Sequence, residues 1–236
     1  MTTVTAEEIL RPSLSAETVA ALIDHTLLKP EATRPQVEKL CAEAVQYGFA
    51  CAFVNPMWVA LAVSVTRGTN VKVGAPVGFP LGANLTATKR AEAEDLLRVG
   101  AHELDMVLNI GALKSGDRKL VQHDIAAIAE LAHGAGAILK VILENCLLTL
   151  EEKIVACELS IAAGADFVKT STGFSTGGAT VDDIALMRGV VGERAGVKAS
   201  GGVRSGKDAL AVIEAGANRI GTSSGIQILR DLDGKV

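Results

Sequence analysis

Four charged residues stand inside otherwise apolar runs: Asp105 in ELDMVLN, Lys140 in AILKVIL, Lys169 in DFVKTS and Lys198 in GVKAS. Burying an isolated charge is costly, so each must be paired or must shift its pKa. Alternation along a strand puts Lys198 and Ser200 on one face, and Val197 and Ala199 on the other. By the same rule Lys169 shares a face with Phe167 and Ser171, and Asp105 with Glu103 and Val107. Two neighbouring lysines point to a particular chemistry. A free lysine, with a pKa near 10.4, is neutral in only about one molecule in 2,500 at pH 7. A second ammonium and a dry pocket favour the neutral amine, and a shift of about three units is worth about 4 kcal/mol. Such an amine attacks a carbonyl and forms a Schiff base, whose iminium is an electron sink for making or breaking a C–C bond. Asp105 is the natural carboxylate to move the protons. The competing reading is a set of structural ion pairs.

Two glycine-rich segments could hold an anion: Gly201-Gly202-Val203-Arg204, and Gly221-Thr222-Ser223-Ser224-Gly225 leading into a helix over 226–229. Glycine lets backbone N–H groups approach closely, and a helix N-terminus adds a favourable dipole. Ordinary tight turns are the alternative. A third polar loop, Thr170–Thr180, follows the Lys169 run and either closes over a ligand or is plain surface. The four histidines (His25, His102, His123, His133) show no metal-ligand spacing, so no metal is expected.

These residues need a scaffold. Helix-like stretches end in Gly-Ala and run into short apolar segments at Gly100-Ala101, Gly136-Ala137, Gly164-Ala165 and Gly216-Ala217. Thr149-x-x-Glu152, Thr180-x-x-Asp183 and Ser205-x-x-Asp208 resemble capping boxes. A helix is expected over Ala83–Val99. The strands read as Ile23–Thr26, Ala50–Val54, Val71–Pro76, Glu103–Leu108, Ile138–Leu143, Phe167–Thr170, Val197–Ser200 and Arg219–Thr222. Eight strands alternating with helices predict an α/β protein, a (β/α)8 TIM barrel, as a single domain over 1–236 with a short N-terminal helix. A doubly wound open sheet is the runner-up, and no GxGxxG supports it. In a barrel the charged set faces inward, near the C-terminal strand ends where barrel enzymes work.

Composition narrows the ligand. Aromatics are only 3% of the chain and the net charge is −4, which argues against a nucleic-acid surface. No apolar run approaches the roughly 18 residues of a membrane span, and no secretory signal is visible. The four cysteines (Cys41, Cys51, Cys146, Cys157) form no CxxC pair and read as reduced thiols of a cytoplasmic protein.

Five motifs, IDHTLLKP, ELDMVLNIG, DFVKTSTGF, GVKASGGVR and the terminal GTSSG, together resemble the deoxyribose-phosphate aldolase family, over about Leu22 to Leu229. The resemblance implies a class I aldolase that uses no metal or organic cofactor. It would cleave 2-deoxy-D-ribose 5-phosphate reversibly to D-glyceraldehyde 3-phosphate and acetaldehyde, in deoxyribose phosphate catabolism. Lys169 would form the Schiff base. Lys198 would lower its pKa and share a proton relay with Asp105. Gly173, Gly201, Gly202, Ser223 and Ser224 would hold the phosphate, and Asp24 and Thr26 would lie near the sugar hydroxyls. Lys140 and Glu144 would organise charge, and Phe79 would either line the acetaldehyde pocket or only pack. Members of the family are often dimers, so a homodimer is an expectation. Two departures stand out. Some members have Lys where this chain has Phe174, and some carry a C-terminal tyrosine that aids proton transfer. Here the chain ends Asp233-Gly-Lys-Val, and its only tyrosine is Tyr47, on a predicted helix. Two other readings compete: a different Schiff-base aldolase (transaldolase-like or keto-acid), and a sugar-phosphate sensor without turnover.

Overall fold

A computed structural model describes residues 14–233. Its eight strands are β1 Ile23–Leu27, β2 Cys51–Val54, β3 Lys72–Val77, β4 Glu103–Val107, β5 Ile138–Ile142, β6 Phe167–Lys169, β7 Gly196–Ser200 and β8 Arg219–Thr222. All pair in parallel with their sequence neighbours, and β8 closes on β1. This is the expected (β/α)8 barrel; each strand lies within a residue or two of its sequence-derived bounds. The helices are α1 Ala16–Ala20, α2 Arg34–Tyr47, α3 Val59–Thr66, α4 Thr86–Arg98, α5 Ile110–Lys114, α6 Arg118–Gly134, α7 Leu150–Ala162, α8 Val181–Val191, α9 Gly206–Glu214 and α10 Gly225–Leu232.

The helix starts follow the capping signals. Thr149 and Glu152 exchange backbone hydrogen bonds at the head of α7, and Ser205 and Asp208 do so at α9. Thr180 accepts from the Asp183 N–H at α8. Helix α4 starts at Thr86, three residues later than the expected Ala83. Tyr47 is the last residue of α2 and stacks on Phe49 at 5.8 Å.

Strand alternation divides the apolar residues into two layers. Val73, Ala75, Leu104, Met106, Leu139, Val141, Val168, Val197, Ala199 and Ile220 point outward and pack under the helices in one continuous core. Inside the barrel a small cluster of Leu28, Cys51 and Phe53, flanked by Phe79, stands apart. The rest of the interior is largely charged: Asp24, Glu103, Asp105, Lys140, Lys169 and Lys198 are all buried. Glycines make room for these long side chains. A Cβ on Gly221 would sit 2.6 Å from Ser200 Oγ and 2.9 Å from Lys198 Cε, and one on Gly74 would sit 2.6 Å from the Phe53 ring.

Candidate active site

The charged interior residues meet at Asp105. Its Oδ2 accepts from Lys169 Nζ at 2.8 Å and from Lys198 Nζ at 2.8 Å, and its Oδ1 accepts from Lys140 Nζ at 2.8 Å. Strand register explains the convergence. Lys169 and Lys198 are directly paired on β6 and β7, and Asp105 and Lys140 on β4 and β5. Because Lys169 and Lys198 share one carboxylate oxygen, their nitrogens lie no farther apart than twice 2.8 Å. That is inside the range of about 4–6 Å over which one charge shifts the pKa of another.

Burial pushes the Lys169 ammonium down. Asp105 opposes that, Lys198 and Lys140 add to it, and the result is a pKa of about 8 instead of 10.5. Roughly one molecule in ten then carries the neutral amine at pH 7, about two orders of magnitude more than for a free lysine. For Asp105, burial alone would raise the pKa. Lys140, Lys169 and Lys198 override it and hold the carboxylate well below its usual range. Phe53, which the sequence offers only as an apolar strand residue, lies under all three lysines. Its ring centroid is 4.6 Å from Lys198 Nζ, 5.0 Å from Lys169 Nζ and 5.8 Å from Lys140 Nζ.

Asp24 sits in this network, fully buried. One of its oxygens accepts from Lys198, the other from Arg219 Nη1 at 2.7 Å. Burial would raise its pKa, but Lys198, Lys140 and Arg219 lower it to about 2. Glu103 accepts from Lys140 at 2.6 Å and from Arg219 at 3.0 Å. Asp24, Cys51 and Glu103 bring donor atoms within 4.8 Å of one another. As a metal site they fit poorly, because Lys198, Lys140 and Arg219 occupy the two carboxylates and burial raises the Cys51 thiol far above its usual range.

A cavity of about 300 Å³ opens beyond the C-terminal ends of β6, β7, β8 and β1. Thr26, Gly173, Gly201, Gly202, Ser223 and Ser224, proposed from separate motifs, all line it. Gly173, Gly201 and Gly202 have φ of 83°, 79° and 87°, where a side chain would be strained. Thr222 ties the two glycine loops together: its hydroxyl donates to Val203 O and accepts from the Ser224 N–H. Lys29 and Arg204 supply positive charge on the wall. The Thr170–Thr180 loop lies against this cradle, with the Ala179 N–H donating to Ser200 O and Gly201 O. Lys169 and Lys198 are not on the cavity wall. Ser200, two residues beyond Lys198 on the same strand face, links wall to network.

Lys140 belongs to the lysine network, but Glu144 does not. Glu144 turns away in a left-handed conformation (φ 58°) and accepts from the hydroxyl of Thr172, holding the loop after β6. Phe79 packs beside Phe53 and meets Phe174 edge-on at 5.2 Å.

A model of the DeoC/LacD family aldolases matches residues 18–232. The chain belongs to this family. A deoxyribose-phosphate aldolase from Geobacillus sp. (strain WCH70) is 59% identical over 211 residues, covering 89% of this chain and 94% of that relative. One from Thermococcus gammatolerans is also 59% identical, over 89% of this chain and 95% of the relative. Among solved structures, the tetrameric deoxyribose phosphate aldolase from Aeropyrum pernix superposes with a TM-score of 0.89 at 38% identity. It spans 98% of this chain and 100% of its own. This DeoC/LacD aldolase has no helix, among its described residues, long and apolar enough to cross a membrane.

Proposed function

We propose that the chain cleaves 2-deoxy-D-ribose 5-phosphate reversibly to D-glyceraldehyde 3-phosphate and acetaldehyde, through a Schiff base on Lys169. The observation that carries the reading is the sharing of one Asp105 oxygen by two lysines, Lys169 and Lys198. Only an amine poised near neutrality becomes a nucleophile at physiological pH, and burial together with the neighbouring lysines lowers Lys169 to about 8. The names of the curated relatives support the choice of substrate.

In this reading the substrate phosphate rests on the glycine loops, the α10 N-terminus and the cations Lys29 and Arg204. Lys169 Nζ attacks the C1 aldehyde, and loss of water gives an iminium. Asp105, with Lys198, receives the proton of the C3 hydroxyl, directly or through water. The C2–C3 bond breaks, its electron pair passes into the iminium to form an enamine, and glyceraldehyde 3-phosphate leaves. The enamine is protonated at C2, and water then hydrolyses the new iminium, releasing acetaldehyde and regenerating the amine. Asp24 acts from below through Lys198, while Thr26 stands on the cavity wall nearer the sugar hydroxyls. Phe79 would face the small aldehyde. No metal or organic cofactor enters the scheme.

The four unpaired cysteines suit a reducing compartment, which supports a cytoplasmic location, and a role in deoxyribose phosphate catabolism goes with the proposed reaction. A homo-oligomer is part of the same proposal, and light scattering would test it. The mechanism is tested by incubating the protein with acetaldehyde and a hydride donor. An N-ethyl adduct on Lys169, with loss of turnover in Lys169→Ala, is the expected result. No adduct on that residue would end the proposal, and turnover of a ketose donor without acetaldehyde activity would favour a transaldolase-like enzyme.

A further inference from the structure

Beneath the reacting lysine lies an arginine that the mechanism does not use. Arg219, at the start of β8, is mostly buried at the lower end of the barrel. Its Nη1 donates to Asp24 Oδ1 at 2.7 Å and to Glu103 at 3.1 and 3.0 Å. Its guanidinium lies 5.5 Å from the Phe167 ring. From there the contacts run upward without a break. Asp24 holds Lys198, Glu103 holds Lys140, and both lysines, with Lys169, end on Asp105.

The network therefore holds four cations (Lys140, Lys169, Lys198, Arg219) and three carboxylates (Asp24, Glu103, Asp105). Each packed strand can be accounted for. β1 brings Asp24, β2 brings the thiol of Cys51 and the Phe53 ring, and β3 turns Gly74 inward, its Lys72 being exposed. β4 brings Glu103 and Asp105, β5 Lys140, β6 Lys169, β7 Lys198 and β8 Arg219. The thiol is neutral, since burial and the nearby carboxylates raise it. Beyond β5, Glu144 is engaged by Thr172 and faces the loop after β6.

Such a site is one positive charge in excess while every lysine is protonated. The excess vanishes when one lysine gives up its proton. Arginine keeps its charge at any working pH, so the loss falls on a lysine. Among the carboxylates of the described residues, Lys140 contacts Glu103, Asp105 and Asp24, Lys198 contacts Asp24 and Asp105, and Lys169 contacts Asp105 alone.

We propose that Arg219 is a positioning residue for the aldol reaction: its permanent charge occupies Asp24 and Glu103, leaves the barrel one cation in excess, and so selects Lys169 as the lysine that becomes neutral. Arg219 acts through five other residues (Asp24, Glu103, Lys140, Lys198 and Asp105) and touches no reacting atom. This inference rests on the Schiff-base reading above.

The test is the pH dependence of Lys169 ethylation by acetaldehyde and cyanoborohydride, followed by mass spectrometry in the full-length protein. The wild type should show a midpoint near 8. At an effective dielectric of about 20, removing one unit charge from a site of this size moves a titration by about one pH unit. Arg219→Met should raise the midpoint by about that amount, and Glu103→Gln should lower it. The double variant Arg219→Met/Glu103→Gln restores the charge count and should return the midpoint to that of the wild type, as should Arg219→Lys alone. A purely structural role for Arg219 predicts loss of folded protein with no shift, and no rescue in the double variant. An unshifted midpoint in folded Arg219→Met would overturn the proposal, as would a double variant that stays shifted. If Arg219→Met does not fold, Glu103→Gln and the double variant decide by the same criteria. No adduct on wild-type Lys169 at any pH would instead defeat the Schiff-base reading itself.

Discussion

Lys169 differs from its two neighbours only in its partners. All three lysines reach Asp105, but Lys140 and Lys198 each hold a further carboxylate, whereas Lys169 has no other among the described residues. Its position, rather than its residue type, makes it the candidate nucleophile. Asp105→Asn should leave Lys169 in place while removing the proton acceptor. Steady-state kcat should fall about 10²- to 10⁴-fold, the usual contribution of one general acid–base group. A variant with near-normal kcat would show that another group moves the proton. Arg204 poses a different question, because it stands on the cavity wall rather than in the network. Arg204→Ala should raise KM for the phosphorylated sugar several-fold and leave KM for the unphosphorylated sugar unchanged. Equal effects on both substrates would place the phosphate elsewhere.

At the scale of elements, the strands do two jobs with alternate residues. Outward residues join the core under the helices, and inward residues carry charge that the packed shell buries. This works only where neighbouring strands give up volume. Gly221 is the clearest case, since a methyl group there would meet Ser200 Oγ and Lys198 Cε. Gly221→Ala should cost about 1–3 kcal/mol of stability, the usual penalty of overpacking, and should lower kcat by displacing Lys198. Urea unfolding and steady-state kinetics would check both, and a variant with wild-type values would show that the lysine has slack. The Thr222 hydroxyl, bridging the loops after β7 and β8, plays the corresponding part for the phosphate cradle.

For the whole molecule, the buried network links folding to pH. The Asp24 carboxyl is lowered from 3.8 to about 2, so its contribution to stability is complete above its unfolded pKa and is lost as pH falls through about 2. That contribution is about 2 kcal/mol. Asp105, also lowered, acts in the same direction. Lys169 works the other way: its folded pKa of about 8 is depressed, so it costs stability below pH 8, and the cost disappears as pH rises toward 10.5. Unfolding free energy should therefore drop steeply between about pH 4 and pH 2. A flat profile over that interval would mean that the carboxylates are not held as ion pairs.

Much of this could be read along the chain. Eight short apolar runs alternating with capped helices specify the barrel, because strand and helix periods and the Gly-Ala helix ends are local signals. Lys169, Lys198, Asp105 and the glycine loops stand out as charges and glycines where apolar residues are the rule. Other features depended on closure. Phe53 looks like any core aromatic until the lysines fold over its ring, and Arg219 is no more than the first residue of a strand until β8 meets β1. Its contacts with Asp24 and Glu103 span 195 and 116 residues, a separation no periodicity encodes. Glu144, which alternation would place beside Lys140, instead has a left-handed backbone and accepts from the Thr172 hydroxyl in the next loop. The sequence by itself determined which elements form and which residue types face inward, since both follow from local periodicity and the cost of burying charge. Only the tertiary structure decided which charges meet, and so which lysine is short of a partner, because partner choice depends on strand register around a closed ring.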